Sequence, residues 1–234
     1  MTSLVFKFKS GRFVWTGLVT VYFLIFFTNF FDDAIGAKAV IPLIFSYNFV
    51  VWLALEYYFG SPFFQSGVVE PNPLWRALFA FFVYPYFAYL GADFIWWRWT
   101  QIPIPAFIAG IIGLVVFGLG VYLRAVTLFS ILGSVQTKPG SDQVLILTKK
   151  MLNLKWQRVC RHPRYLGTLI QLLGAALVFN SYGGLILLLI LGLPLIIIQV
   201  RYEERVLRNQ MKTDYERYCQ TVPLLLPKLG SGQE

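Results

Sequence analysis

The stretch Arg161-His162-Pro163-Arg164-Tyr165-Leu166-Gly167 stands where a basic segment meets a long apolar one, and it holds the single histidine of the chain. Proline fixes its own φ and has no amide donor, so it fits the first turn of a helix; the residue before it is pushed toward an extended conformation. A helix is therefore expected to begin near Pro163 with His162 at its cap. The free amides and positive end of such a helix would share one aqueous rim with the Arg161 and His162 side chains, which suits an anionic group. The same pattern also suits a plain transmembrane helix start, with flanking arginines and an opening proline.

Composition decides what surrounds this stretch. Of the 234 residues, 57% are hydrophobic and 18% aromatic, and the mean hydropathy is +0.64, far outside the soluble range. The reading is an integral membrane protein, an all-α polytopic bundle. A transmembrane helix needs about 20 apolar residues. Such runs lie at Phe13 to Phe31, Ala39 to Tyr58, Leu74 to Trp97 and Pro105 to Ile131, and in the shorter pair Tyr165 to Asn180 and Tyr182 to Val200. About six transmembrane helices are thus expected, with a cytoplasmic C-terminal helix over Arg201 to Cys219. The N-terminal apolar run, preceded by Lys7, Lys9 and Arg12, is too long for a signal peptide h-region and reads as a retained first helix. Residues 1–132 form one division of four helices, and residues 133–234 a second, made of a basic loop, a helical hairpin and the tail.

The charges set the topology. Lysines and arginines outnumber acidic residues 20 to 11, but they flank apolar runs and form no stripe of the kind that meets nucleic acid, so no nucleic-acid partner is expected. With six spans, the basic residues before the first helix, at Arg76, from Lys138 to Arg164 and from Arg201 onward fall on one face. The other face has only Lys38 and Arg98. By the positive-inside rule both termini, the long loop and the 161–167 stretch are cytoplasmic, in a bacterial inner membrane or the endoplasmic reticulum. Cys160 and Cys219 share that reducing face, and no disulfide is expected. One histidine and two cysteines argue against a zinc site.

Candidate site residues follow from helical spacing. Glu203 lies on the side of Ile196, Val200 and Leu207, where a buried carboxylate needs a partner or a ligand. Gln199 lies one turn before it and either shares its pocket or marks the helix interface. Glu204, between Arg201 and Arg208, reads as a solvent-facing ion pair. The short Asn180 to Gly184 turn makes the last two spans an antiparallel hairpin and brings Glu203 toward Arg161, His162 and Tyr165. Gly167 and Gly174, seven apart, lie on one helix face and allow close helix contact.

At these residues the chain resembles the C-terminal half of isoprenylcysteine carboxyl methyltransferases and related phospholipid methyltransferases. The likeness rests on Arg161 to Gly167, Leu173-Gly174, Glu203-Glu204-x-x-Leu207, Tyr215-x-x-Tyr218 and Val222-Pro223, in that order, and extends from Arg124 to Pro227. It implies S-adenosyl-L-methionine as cofactor and a lipophilic methyl acceptor entering from the bilayer, either a lipid amine or a prenylated or lipid carboxylate. It implies cofactor contacts at Leu147, Thr148, Arg161, His162, Pro163, Arg164, Tyr165 and Glu203, catalytic roles at Arg161 and Glu204, and substrate contacts at Gln199 and Arg201. The chain departs from the family pattern twice. A longer basic run, Lys149 to Gln157, replaces a Gly-x-Tyr turn, and Gln199 stands where the isoprenylcysteine enzymes have an arginine. The tail around Glu216 to Pro223 also resembles membrane sterol reductases, which makes an NADPH oxidoreductase the alternative enzyme. A non-enzymatic membrane scaffold or carrier is the remaining alternative.

Overall fold

The computed structural model describes residues 40–58, 72–134 and 160–226, together with the helical positions 17, 18, 20–22 and 25. The expected first span therefore lies largely outside the described residues, as do Leu147, Thr148 and the basic run after them. The chain divides into two compact units, residues 1–63 and 64–234. The first contributes helix α1, Val40–Tyr58. The second contributes α2 (Pro73–Ala92), continued by a wider π-helical turn at Asp93–Trp97, then α3 (Ala106–Ser134), α4 (Pro163–Val178) and α5 (Tyr182–Leu187). A second π-helical turn, Leu188–Gly192, joins α5 to α6, Leu193–Thr221. Among the described residues there is no strand, only an isolated bridge between Gln101 and Ser181. The expected all-α bundle is the observed fold.

Three helical segments are long and apolar enough to cross a membrane: Pro73–Trp97, Ala106–Phe129 and Tyr182–Thr221. Their outer faces are apolar, with Phe81, Tyr84, Phe107, Val115, Leu189 and Ile190 all exposed. A soluble protein would cover so large an apolar surface; lipid tails make it the low-energy surface. Helix α4 is different. It spans 16 residues and buries Thr168 and Gln171 along with its apolar positions, so its neighbours in the second unit enclose it.

The closest packing in the second unit is between α3 and α4, and small residues create it. A Cβ placed on Gly174 would stand 2.5 Å from the amide nitrogen of Phe117, and one on Gly113 would stand 2.7 Å from the carbonyl oxygen of Gly174. Seven residues further along α3, a Cβ on Gly120 would stand 2.7 Å from the carbonyl oxygen of Gly167. Two glycines seven apart on each helix thus oppose one another in antiparallel register, and the backbones meet with no side chains between them. Gly118 lies off this seam, and a Cβ there meets nothing within 4 Å. The hairpin expectation is sharpened: α4 packs along α3, and α6 reaches α4 mainly through side chains at the His162 end.

The end of the bundle remote from His162 is fastened by Asp93. Its Oδ1 accepts from the amides of Trp99 and Thr100 at 3.0 and 3.3 Å, and its Oδ2 from the hydroxyls of Thr100 and Ser181 at 2.5 and 2.8 Å. The Tyr182 amide donates to the Thr100 carbonyl at 2.7 Å. Asp93 therefore ties the α2–α3 connection to the turn between α4 and α5, and its buried charge is fully hydrogen-bonded as such groups must be.

Candidate active site

The first wall of the site is the start of α4. His162 caps that helix at φ −125°, ψ 61°, and Pro163 is its first residue, as the Arg-His-Pro sequence predicts. The second wall is the polar continuation of α6, where Gln199, Glu203 and Glu204 are all buried. Helical spacing puts Gln199 and Glu203 one turn apart, and the Gln199 amide Nε2 donates to Glu203 Oε1 at 3.3 Å. The two residues share one pocket.

Side chains from both walls converge. Tyr165 donates its hydroxyl to Glu203 Oε1 at 2.6 Å. His162 Nε2 lies 2.8 Å from Glu204 Oε1, and its Nδ1 lies 3.6 Å from Glu203 Oε2. Arg161 forms an ion pair with Glu204. Burial alone would depress the His162 pKa, but hydrogen bonds and charges from Glu203 and Glu204 outweigh it, and the imidazole is raised above its ordinary value. The neighbouring Cys160 thiol is pushed up to about 11 by burial, against a lowering backbone hydrogen bond, so it is not a poised thiolate.

Two expectations are corrected. Glu204 is not solvent-facing: it is 6% exposed and takes hydrogen bonds from His162 and Tyr215 and an ion pair from Arg161. Arg208 reaches it at 3.7 Å from one turn ahead, but Arg201, its other expected partner, points outward and is exposed. Nor do Arg161 and His162 face an open rim. The segment after α6 returns across them, with the Arg161 amide donating to the Pro223 carbonyl at 2.9 Å and the His162 amide to the Leu224 carbonyl at 3.2 Å. The physical cause of both is a break in α6 at Lys212 (φ 45°, ψ −121°). It turns the last helical segment so that Tyr215 and Cys219 fold over the carboxylate.

Sequence reasoning missed three contributors. Tyr215 donates to Glu204 Oε1 at 2.6 Å, and Arg161 Nη1 lies 2.9 Å from Cys219 Sγ. On an unbroken helix eleven residues would set Glu204 and Tyr215 about 16 Å apart along the axis, so the contact depends on the break at Lys212 and the spacing held no signal for it. Trp75 of α2 is the third: its ring meets Tyr165 edge-on at 6.1 Å, and its indole Nε1 donates to the Leu195 carbonyl at 2.6 Å. Nothing local in the sequence joins Trp75 to residues about a hundred positions away. Of the remaining candidates, Pro163 and Arg164 are buried at the start of α4. The Arg164 carbonyl accepts from Arg124 of α3 at 3.3 Å.

The arrangement offers two carboxylates, an imidazole, a guanidinium and a phenol, largely shielded from water where an apolar helix ends. One acceptor is conspicuous: Gln199 Oε1 is buried with no hydrogen-bond partner. Such a group is costly unless a ligand or water meets it. No curated protein and no solved structure matches the chain. The family model described as phospholipid methyltransferase matches residues 108–214, which take in the α3–α4 seam, Arg161, His162, Tyr165, Gln199, Glu203 and Glu204. Residues 108–214 are thus similar to the phospholipid methyltransferase family, and the candidate site falls within that stretch.

Proposed function

We propose that the protein is an integral membrane methyltransferase that uses S-adenosyl-L-methionine and methylates a lipophilic acceptor reaching the site from the bilayer. The observation that carries this reading is the convergence of buried His162, Tyr165, Glu203 and Glu204 with the half-buried Arg161 inside the stretch that the family model matches, at the end of an apolar helix. The residues suit the cofactor. Glu203 and the unpartnered Gln199 Oε1 are acceptors for an ammonium or hydroxyl group, while Arg161 and His162 supply positive charge for a carboxylate. Leu147 and Thr148 are further cofactor contacts in this reading.

Bound there, the sulfonium would supply a methyl group already activated for transfer. The chain's own part is then to orient the reactants and exclude water. Tyr165 and Gln199 hold the Glu203 carboxylate in place; Glu204 holds Arg161 and His162. Arg161 is the candidate to touch the reacting groups, with Glu204 fixing its position. Gln199 lacks the charge and the bidentate fork that suit a carboxylate, which favours a lipid amine over a prenylated cysteine carboxylate as acceptor. The site lies on the cytoplasmic face in this reading, in keeping with the distribution of basic residues.

Calorimetry on the detergent-purified protein tests the proposal. S-adenosylhomocysteine should bind, and Glu203→Ala and His162→Ala should abolish or greatly weaken that binding. Folded protein that ignores S-adenosylhomocysteine and binds NADPH would overturn it in favour of an oxidoreductase.

A further inference from the structure

Helix α6 leaves its apolar portion without changing the face it exposes. Pro194 and Ile198 are exposed on the apolar part, and Arg201, Arg205, Arg208 and Lys212 are exposed beyond it. The steps of four, three, four, three and four residues keep all six positions within about 80° of arc at 100° per residue. Ile198 is 59% exposed and the Arg208 side chain 57%, so the stripe is open at both ends of the transition. A face that meets lipid tails thus becomes a run of four cations on the same line.

The stripe carries no acidic residue. Glu203 is buried on the opposite side of the helix, and Glu204 is buried beside the stripe, held mainly by Arg161 and His162, with Arg208 reaching it at 3.7 Å; the next acidic positions, Asp214 and Glu216, come after the break at Lys212. At 1.5 Å per residue the four cations extend along about 17 Å of helix. With the hydrocarbon boundary taken at Val200, where the apolar run ends, the first two fall within the headgroup layer of about 5 to 8 Å beside it. The others fall within reach of the surface potential, which decays over about 8 Å at physiological ionic strength. Three of the four are arginines, whose planar guanidinium matches phosphate oxygens in pairs.

We propose that Arg201, Arg205, Arg208 and Lys212 form a binding surface for the anionic phospholipid headgroups of the membrane in which the protein sits. The proposal is independent of methyl transfer. Its partner is the lipid surface, fixed by the continuity of the basic stripe with the apolar lipid-facing one and by charge complementarity.

The test places the full-length protein in phosphatidylcholine vesicles and compares spin-labelled phosphatidylglycerol with spin-labelled phosphatidylcholine by electron spin resonance. The wild type should retain the anionic probe at least about three-fold more strongly at low salt, with the preference shrinking as salt rises. Replacing all four cations by glutamine should remove most of that preference, a triple Arg→Lys variant should keep most of it, and Arg98→Gln, at the other end of the bundle, should leave it unchanged. A wild type without preference, or a four-fold glutamine variant that keeps it, overturns the proposal. Should the four-fold variant fail to fold, Arg201→Gln and Arg205→Gln decide singly: each should lower the preference, and no change in either overturns it.

Discussion

His162 Nε2 and Glu204 Oε1 stand 2.8 Å apart in a buried pair, although 42 residues separate them in the chain. The pair joins the capping residue of α4 to the polar end of α6, and the rest of the site is arranged around it.

The single histidine of the chain makes this pair directly measurable. Replacing Glu204 by Gln keeps an acceptor but removes the negative charge and the charge-assisted hydrogen bond that raise the His162 pKa, so the midpoint should fall. Nuclear magnetic resonance of ring-labelled histidine, with one signal to follow, reads it. A midpoint that stayed or rose would refute the electrostatic account.

The same shift fixes a pH dependence of stability. Because the folded pKa of His162 is raised, its contribution is complete below the unfolded value of about 6.5 and is lost as pH rises through the folded value. Thermal unfolding in detergent should show wild-type stability declining on the alkaline side of that midpoint. The decline should be weaker in His162→Ala.

Tyr215→Phe keeps the ring and deletes the hydroxyl that donates to Glu204. Hydrogen bonds to charged groups contribute about 1.5 to 3 kcal/mol. The variant should lose about that much stability, read by denaturant or thermal unfolding. A loss below about 0.5 kcal/mol would mean the hydroxyl is not holding the carboxylate.

Glycines on one helix should respond oppositely to alanine. Gly120→Ala drives a methyl group to 2.7 Å from the Gly167 carbonyl oxygen, and overpacking of this kind costs about 1 to 3 kcal/mol. Gly118→Ala meets nothing within 4 Å and should be neutral or stabilising by up to about 1 kcal/mol. Equal melting temperatures for the two would remove the close α3–α4 seam.

Asp93→Ala removes the acceptor shared by four donors at the far end of the bundle, and strands the Trp99 and Thr100 amides. Stability should fall by at least about 1 to 3 kcal/mol, while the His162 resonance, reporting on the opposite end, should keep its position. A displaced His162 signal would show that the two ends are coupled.

Much of this was legible in the residues themselves. Apolar runs gave the helices at 73–97, 106–134 and 182–200 because length and hydropathy are local quantities. His162-Pro163 gave the start of α4 because proline restricts its own backbone and its neighbour's. The spacing of Gln199 and Glu203 put both on one face because one helical turn is a fixed rotation, and the structure chose the shared pocket over the plain interface. The reading of Glu204 failed on the same local logic, since Arg201 and Arg208 flank it at ion-pair spacing and a straight helix would leave all three in solvent.

What only the tertiary structure decided is the far side of that carboxylate. A single residue, Lys212, leaves the helical region, and the segment beyond it carries Tyr215, Cys219 and the Pro223 and Leu224 carbonyls over Glu204, Arg161 and His162. Trp75 likewise reaches Tyr165 only because α2 packs beside α4 and α6. The sequence by itself determined the helices, the cap and the residue types of the site, since these depend on neighbours within a turn or two. That the buried face of α6 widens to take in Glu204, and what closes over it, depends on a backbone break and on partners distant in the chain, so only the folded bundle determined them.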